Sequence, residues 1–321
     1  MGKGGKGMVI GIDVGGTNIT AGLVDAKNKI IAREKIDTKA DGGEAVVVER
    51  IAQVIRALAD DVGCKLDDID GVGLGVPGVV EPTTGVVVEA VNLRWSDMHV
   101  AEHLKDHLDL PVTVDNDVNV GTWGEYELGA GKGGRGVFGI FVGTGIGGGL
   151  ILDGVLYTGA LNTAGEIGHV IIDSHAPYGG RTLERLASRT AIVNRLIALV
   201  NAHEPSCLKE LAGDKWPRIR SKVLKKALAQ DDALTVRVLS DAAKAIGHAV
   251  ANVVTLLSLD RIVVGGGLTE ALDERWVKWI RESFDDAVFP ETCRQCKVVE
   301  SELGDDAGLL GAALLARHRL G

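Results

Sequence analysis

Two stretches half a chain apart constrain this sequence most. Gly11-Ile12-Asp13-Val14-Gly15-Gly16-Thr17 and Gly139-Ile140-Phe141-Val142-Gly143-Thr144-Gly145 are both apolar runs that end in a glycine–threonine turn. Each leads into another apolar run, at residues 21–24 and 150–152. A repeat of this kind is what two similar domains leave in a chain, and 321 residues suffice for two cores. The repeat carries Phe141 where the first copy carries Asp13, so the two halves are expected to differ in chemistry.

The remaining periodicities fill in the plan. Strands are predicted at residues 8–13, 21–24 and 30–35 as an antiparallel meander, then at 72–76, 86–91 and 112–114. Val47, Ile51, Val54, Ile55 and Leu58 recur at helical spacing, which predicts an amphipathic helix over 44–61. A further helix is predicted near 100–108. Residues 183–257 read as mainly helical, with a polar surface loop at 204–217. A short strand at 261–264 runs into Gly265-Gly266-Gly267, followed by a helix to about residue 284, a strand at 298–299 and a last helix over 307–317. Strands interleaved with helices give an α/β fold.

Charge and targeting narrow the class. Thirty-five basic against forty-four acidic residues leave a net −9, which argues against a partner with a phosphate backbone, hence no nucleic acid. No apolar run approaches the roughly 20 residues that span a bilayer, and no signal peptide follows the glycine- and lysine-rich start. Residues 1 to 7 are expected to be a flexible tail, and the chain to be cytoplasmic. Cys64, Cys207, Cys293 and Cys296 form no dense framework. The single Cys293-Arg294-Gln295-Cys296 pair lacks the second pair or nearby histidine of a metal site.

Four segments carry candidate chemistry. Asp13 beside Gly15, Gly16 and Thr17 sets a carboxylate next to bare N–H groups and a hydroxyl, which suits a phosphate with magnesium held through water; a plain glycine hairpin turn fits as well. Gly143-Thr144-Gly145-Ile146-Gly147-Gly148-Gly149 has five glycines in seven residues, more than a hairpin needs. It has no Walker lysine and opens a strand, so a phosphate-cradling β-turn is the remaining reading. Asp115-Asn116-Asp117 ends a predicted strand, where a kinase could place the carboxylate that accepts a hydroxyl proton. The same tripeptide also fits an Asx turn capping a helix after Asn119. Glu166 and His169, three residues apart across glycine, suit sugar hydroxyls; their spacing also suits a metal, although no second such pair occurs.

Taken in order, these segments resemble the ROK sugar kinases of the actin/hexokinase/Hsp70 ATPase-like superfamily. The resemblance runs from Met8 to about Arg317. It rests on Asp13-Val14-Gly15-Gly16-Thr17, Gly75-Val76-Pro77-Gly78, Asn92-Leu93-Arg94-Trp95, Asn116-Asp117, Gly143-Thr144-Gly145-Ile146-Gly147, Gly165-Glu166-Ile167-Gly168-His169 and Gly265-Gly266-Gly267. It implies two RNase H-like α/β domains hinged over a central cleft: residues 1–117, residues 118–305, and a helix at 306–321 that rejoins the first domain. It implies Asp117 as catalytic base, with Asn116, Glu166, His169 and Glu184 as sugar ligands and Gly78 and Asn92 lining the sugar pocket. The turns at Gly16-Thr17 and Thr144-Gly145 match its phosphate turns, and Gly265-Gly266 its adenosine-side turn. A homodimer is also implied.

One departure stands out. The family usually carries a cysteine-rich zinc loop before its Leu-Glu-x-x-Ala-Ser segment, here Leu183-Glu184-Arg185-Leu186-Ala187-Ser188. Residues 173–182 contain no cysteine, so no zinc is expected; Tyr178 packing or Arg181 ion pairs are expected to hold the loop instead. The expected activity is ATP- and magnesium-dependent phosphorylation of a free hexose, glucose first. N-acetylmannosamine, fructose or allose as acceptor, or polyphosphate as donor, are the alternatives within that chemistry. A sugar-responsive repressor is disfavoured because only seven residues precede the first strand, leaving no room for a helix-turn-helix. A catalytically dead sensor or filament subunit is disfavoured because Asp117 accompanies both turns.

Overall fold

The computed structural model describes residues 7–321, so the expected tail lies outside the described residues except for Gly7. The chain forms two compact units. The first runs to Lys132 and takes in Leu156–Ala164 and Asp306–Gly321; the second comprises Gly133–Val155 and Gly165–Asp305.

The first unit contains β1 (Met8–Val14), β2 (Asn18–Val24), β3 (Ile30–Asp37), α1 (Glu44–Val62), β4 (Ile69–Val76), β5 (Val79–Glu81), β6 (Val86–Ala90), β7 (Trp95–Met98), α2 (Val100–Lys105), β8 (Val112–Asn116) and α3 (Asp117–Leu128). Its main sheet has the order β3-β2-β1-β4-β8. The first three strands form the predicted antiparallel meander, and β1, β4 and β8 run parallel. Nearly every residue of β1 is buried, as a central strand covered on both faces requires. Helix α1 turns Val47, Ile51, Val54, Ile55 and Leu58 inward and ends at Gly63 in the left-handed conformation that favours glycine. Strands β5, β6 and β7 form a second small sheet, of which only β6 shows in the sequence. Three or four residues are too few to display a period.

The second unit contains β9 (Gly136–Val142), β10 (Ile146–Leu152), Val155 of the two-residue β11 (Val155–Leu156), α4 (Leu183–Ala187), α5 (Arg189–Asn201), α6 (Leu208–Ala212), α7 (Ser221–Ala229), α8 (Ala233–Leu257), β12 (Arg261–Gly265), α9 (Arg275–Ala287) and β13 (Lys297–Glu300). The sheet order is β11-β10-β9-β12-β13, with β10 antiparallel to β9 and β12 and β13 parallel to it. Strand for strand this is the plan of the first unit, so the repeated motif marks a repeated sheet. The stretch read as a surface loop at 204–217 holds α6, whose Leu208 is fully buried in the core beside α7 and α8.

Helix α10 (Ala307–Leu320) follows, packing on β1, β4 and α3 of the first unit. A Cβ on its Gly311 would lie 1.7 Å from the carbonyl oxygen of Val120, so the two helices meet backbone to backbone. Sequence expectation divides the chain at 117/118; because α3 packs on α10 and β4, the grouping by contacts first crosses over after Lys132. Among the described residues no helix is long and apolar enough to cross a membrane.

Candidate active site

In the first unit, parallel pairing aligns Asp13 of β1 with Gly75 of β4, and Gly75 with Asp115 of β8. The C-terminal ends of three parallel strands thus share one edge, with neighbours about 4.8 Å apart. Between β1 and β2 the turn closes through Gly15 N–H donating to the Asn18 carbonyl at 2.9 Å. Thr38, fully buried at the end of β3, pins this turn twice. Its hydroxyl donates to the Gly15 carbonyl at 2.5 Å and its N–H to the Thr17 carbonyl at 2.8 Å. The amides of Gly16 and Thr17 donate to nothing among the described residues. A Cβ on Gly16 would lie 3.1 Å from the Asn92 carbonyl oxygen, which sets Asn92 beside the turn. The Asp13 carboxylate faces the first turn of α10, where a Cβ on Gly308 would lie 3.5 Å from Oδ2.

The two aspartates of Asp115-Asn116-Asp117 have separate fates. Asp115 is 2% exposed. Its Oδ1 accepts from the Asn116 N–H and from Asn119 Nδ2, both at 2.8 Å, and its Oδ2 pairs with Arg319 of α10. It is consumed in holding the strand end. Asp117 is the first residue of α3 and only partly buried. Its Oδ1 accepts from Val118 N–H at 2.9 Å, and its Cα sits over the bare face of Gly75, 3.4 Å from where a Cβ would be. Asn116 caps α3: Oδ1 accepts from the Val118 and Asn119 amides, and Nδ2 donates to the Gly78 carbonyl at 2.9 Å. The helix therefore starts at Asp117, not after Asn119. The Asn116 amide keeps one N–H for a ligand, since a primary amide carries two.

In the second unit the β9–β10 turn is Gly143-Thr144-Gly145. Arg189 N–H donates to the Gly143 carbonyl at 3.0 Å, Arg189 Nη2 to Thr144 Oγ1 at 2.7 Å and Thr190 Oγ1 to the Thr144 carbonyl at 2.7 Å. The amides of Thr144 and Gly145 donate to nothing among the described residues, as in the first turn. Glu184 lies against this turn: its Oε2 accepts from Ile146 N–H at 2.9 Å, and a Cβ on Gly145 would meet it at 2.3 Å. Glu166 and His169 are exposed at either side of the short 3-10 turn Ile167–His169, with Oε2 and Nε2 3.8 Å apart. That turn is held near Glu184 by Gly168, whose Cβ would fall 3.5 Å from the Glu184 Cβ.

The glycine excess has a packing cause that the sequence reading did not foresee. A Cβ on Gly165 would lie 2.3 Å from the Gly148 carbonyl oxygen, and one on Gly148 2.7 Å from that of Gly165. Two backbones touch there, so part of the run serves packing, and only Gly143, Thr144 and Gly145 form the open turn. Gly266, at φ 90°, likewise lies on the end of β9, with a Cβ position 2.6 Å from Val142 N. The preceding Gly265 carbonyl accepts from Thr269 Oγ1 at 3.0 Å.

The shortened loop at 173–182 is not held as expected. Tyr178 is 97% exposed and packs on nothing. Arg181 donates through Nε to the Ala176 carbonyl at 2.7 Å instead of pairing with a carboxylate, and Asp173 Oδ1 accepts from the His175 and Ala176 amides. A bridge between Ile171 and Thr182 closes the base. Among the described residues no group of three or more His, Cys, Asp or Glu is placed to hold a metal ion. Cys296 is buried, which pushes its thiol up to about 12. Three residues of these sites escaped the sequence reading: Thr38, Arg189 and Arg319. Each acts on a turn or strand end far away in sequence, and no local pattern marks such a contact.

Comparison with known proteins adds an independent line. The model of the ROK family matches residues 9–319. The glucokinase of Halalkalibacterium halodurans is 33% identical over 97% of this chain and 95% of its own. The glucokinase of Thermotoga maritima is 32% identical over 98% of both. The crystal structure of a ROK family glucokinase from Streptomyces griseus, in complex with glucose and AMPPNP, superposes with a TM-score of 0.84 at 32% identity, covering 97% of this chain and all of that one. A repeated five-stranded sheet, a glycine–threonine turn in each copy and a match along nearly the whole length agree on one assignment: this chain belongs to the ROK family.

Proposed function

We propose that this protein transfers the γ-phosphoryl group of ATP to the 6-hydroxyl of a free hexose, with glucose as the first acceptor. The observation that carries the reading is Asp117, a partly exposed carboxylate on the first turn of α3, set over Gly75 while its neighbour Asp115 is buried and paired. The glucokinase relatives and the glucose–AMPPNP complex of the Streptomyces griseus protein support acceptor and donor.

Phosphoryl transfer asks a protein mainly for positioning and charge stabilisation. Asp117 takes the proton of the attacking hydroxyl. Asn116, Glu166, His169 and Glu184 hold sugar hydroxyls, with Gly78 and Asn92 lining that pocket. The unengaged amides of Gly16, Thr17, Thr144 and Gly145 receive phosphate oxygens, and Gly265-Gly266 borders the adenosine. Magnesium fits this donor set: it keeps most of its waters and needs only one or two carboxylates plus phosphates, so Asp13 suffices through water. The ion would neutralise phosphate charge.

Sugar phosphate formation from glucose, N-acetylmannosamine, fructose and allose, with ATP or polyphosphate as donor, tests the reading, and none from ATP with any sugar rejects it. Asp117→Asn should lose roughly 10²–10⁴-fold in turnover with both substrates still bound, while Asp115→Asn keeps its rate. If the losses are exchanged, the base is Asp115. We also assign no zinc to residues 173–182, which one zinc per chain by metal analysis would contradict. A cytoplasmic homodimer is proposed as well. Leu256 and Phe289, 82% and 72% exposed and joined by Phe289 N–H to Thr255 Oγ1, give pairing a surface. A monomer in sedimentation at micromolar concentration would speak against it.

A further inference from the structure

The second unit contains a cavity of about 540 Å³ at the starts of α5 and α7, which the roles above leave unused. Arg189, Arg220 and Lys222 line it together with Thr190, Asn194 and Ser221. Three cations on one cavity of a chain with net charge −9 form a local reversal of sign. None of the three forms an ion pair among the described residues, whereas Arg135, Arg195, Arg237, Arg275 and Arg294 of the same unit all meet carboxylates. Cations gathered without counter-charges repel one another, and an anionic ligand relieves that repulsion.

Position says which anion. Arg189 is shared between the cavity and the β9–β10 turn, because its Nη2 donates to Thr144 Oγ1. Thr190 is shared in the same way through the Thr144 carbonyl. An anion held at the open amides of Thr144 and Gly145 thus borders the cavity wall. Guanidinium groups match phosphate oxygens in a planar, two-pronged geometry, and the Lys222 ammonium adds a point charge.

We propose that Arg189, Arg220 and Lys222 form a donor-side anion wall that takes the phosphate chain of the donor where it leaves the Thr144 turn. This rests on the kinase reading for the identity of the ligand, but the wall itself is a feature of the second unit alone. Arg189 is the positioning member, since it fixes the turn and faces the ligand. Arg220 and Lys222 contribute charge from exposed positions; the Arg220 carbonyl accepts from amides in the first turn of α7, but neither side chain makes a hydrogen bond or ion pair among the described residues.

The test pairs Arg220→Met/Lys222→Met with Arg189→Met and Arg189→Lys. Inorganic tripolyphosphate binding is read by calorimetry without sugar, and KM for ATP and for sugar is read at steady state. Loss of charged hydrogen bonds should weaken tripolyphosphate and raise the ATP KM by roughly ten- to a hundredfold, with the sugar KM within about twofold. Arg189→Lys should recover part of the Arg189→Met loss. An ATP KM unchanged in the exposed double variant overturns the proposal. So does loss of tripolyphosphate binding alone, which would mean that the cavity serves another anion. If the wild-type chain forms no ADP with any sugar yet the variants lose tripolyphosphate, the kinase reading falls and the anion wall stands.

Discussion

Arg319→Met removes the cation from one of the most deeply buried carboxylates in the molecule. Asp115 is 2% exposed, whereas the Arg319 side chain is 25% exposed. Breaking a buried pair by deleting one partner costs about 3–5 kcal/mol, because the other charge is left uncompensated. Two features place this pair at the lower end. Asn119 Nδ2 and Asn116 N–H still donate to Asp115, and a quarter-exposed arginine leaves a space that water can enter. We therefore expect a loss of about 3 kcal/mol, a large share of the 5–15 kcal/mol that stabilises an ordinary fold. Adding Asp115→Asn removes the stranded charge, so the double variant should regain about 2 kcal/mol of it. Urea midpoints, with hydrogen exchange at the amides of α3 and α10, report this locally and do not rely on the two units unfolding together. If Arg319→Met lies within about 0.5 kcal/mol of wild type, or the double variant is no better than the single one, the pair does not hold the strand end as argued.

Two further outcomes follow from the second unit. Asp232 caps α8, accepting from the Thr235 and Cys207 amides at 2.8 Å each. Burial pushes its carboxyl up, but these hydrogen bonds outweigh that and hold it below the usual carboxylate range. A depressed folded value gives stability that is complete above the unfolded value of about 3.9 and is lost as pH falls through the folded one. Asp232→Ala should thus cost about 1–2 kcal/mol at pH 7, and its thermal midpoint should converge on that of wild type towards pH 3. An equal gap at both pH values would refute the cap's charge dependence. Cys296, neutral because buried, should react with an alkylating reagent at pH 8 far more slowly in the native than in the unfolded chain. Equal rates by peptide mass spectrometry would contradict its burial.

What sequence could and could not reveal divides along the range of the contacts. Asp13 to Thr17 and Phe141 to Gly145 were legible because a strand and its turn are neighbours along the chain. The helix over 44–61 was legible because its buried residues recur at one spacing. The burial of Asp115 was not, since it depends on Arg319, 204 positions away. Nor was the double use of the glycine-rich run, since Gly148 needs its missing Cβ only because Gly165 packs there. Asn116 illustrates both sides: the sequence offers it as a sugar ligand or as a cap, and the structure shows the cap in place with one N–H to spare.

Helix α10 has a consequence for how the protein is made. Its residues complete the first unit, yet they are translated after the whole second unit. Domains ordinarily fold in the order of synthesis, at roughly 5–20 residues per second, so the segment Gly133–Asp305 delays α10 by on the order of ten seconds or more. During that interval the faces of β1, β4 and α3 that α10 will cover lie bare, an apolar surface open to chaperones or to a neighbouring nascent chain. The second unit, nearly continuous in sequence, has its residues in hand first. Birth order and folding order are therefore reversed in this chain, and a ribosome that stalls late would release a molecule with one finished half and one open sheet.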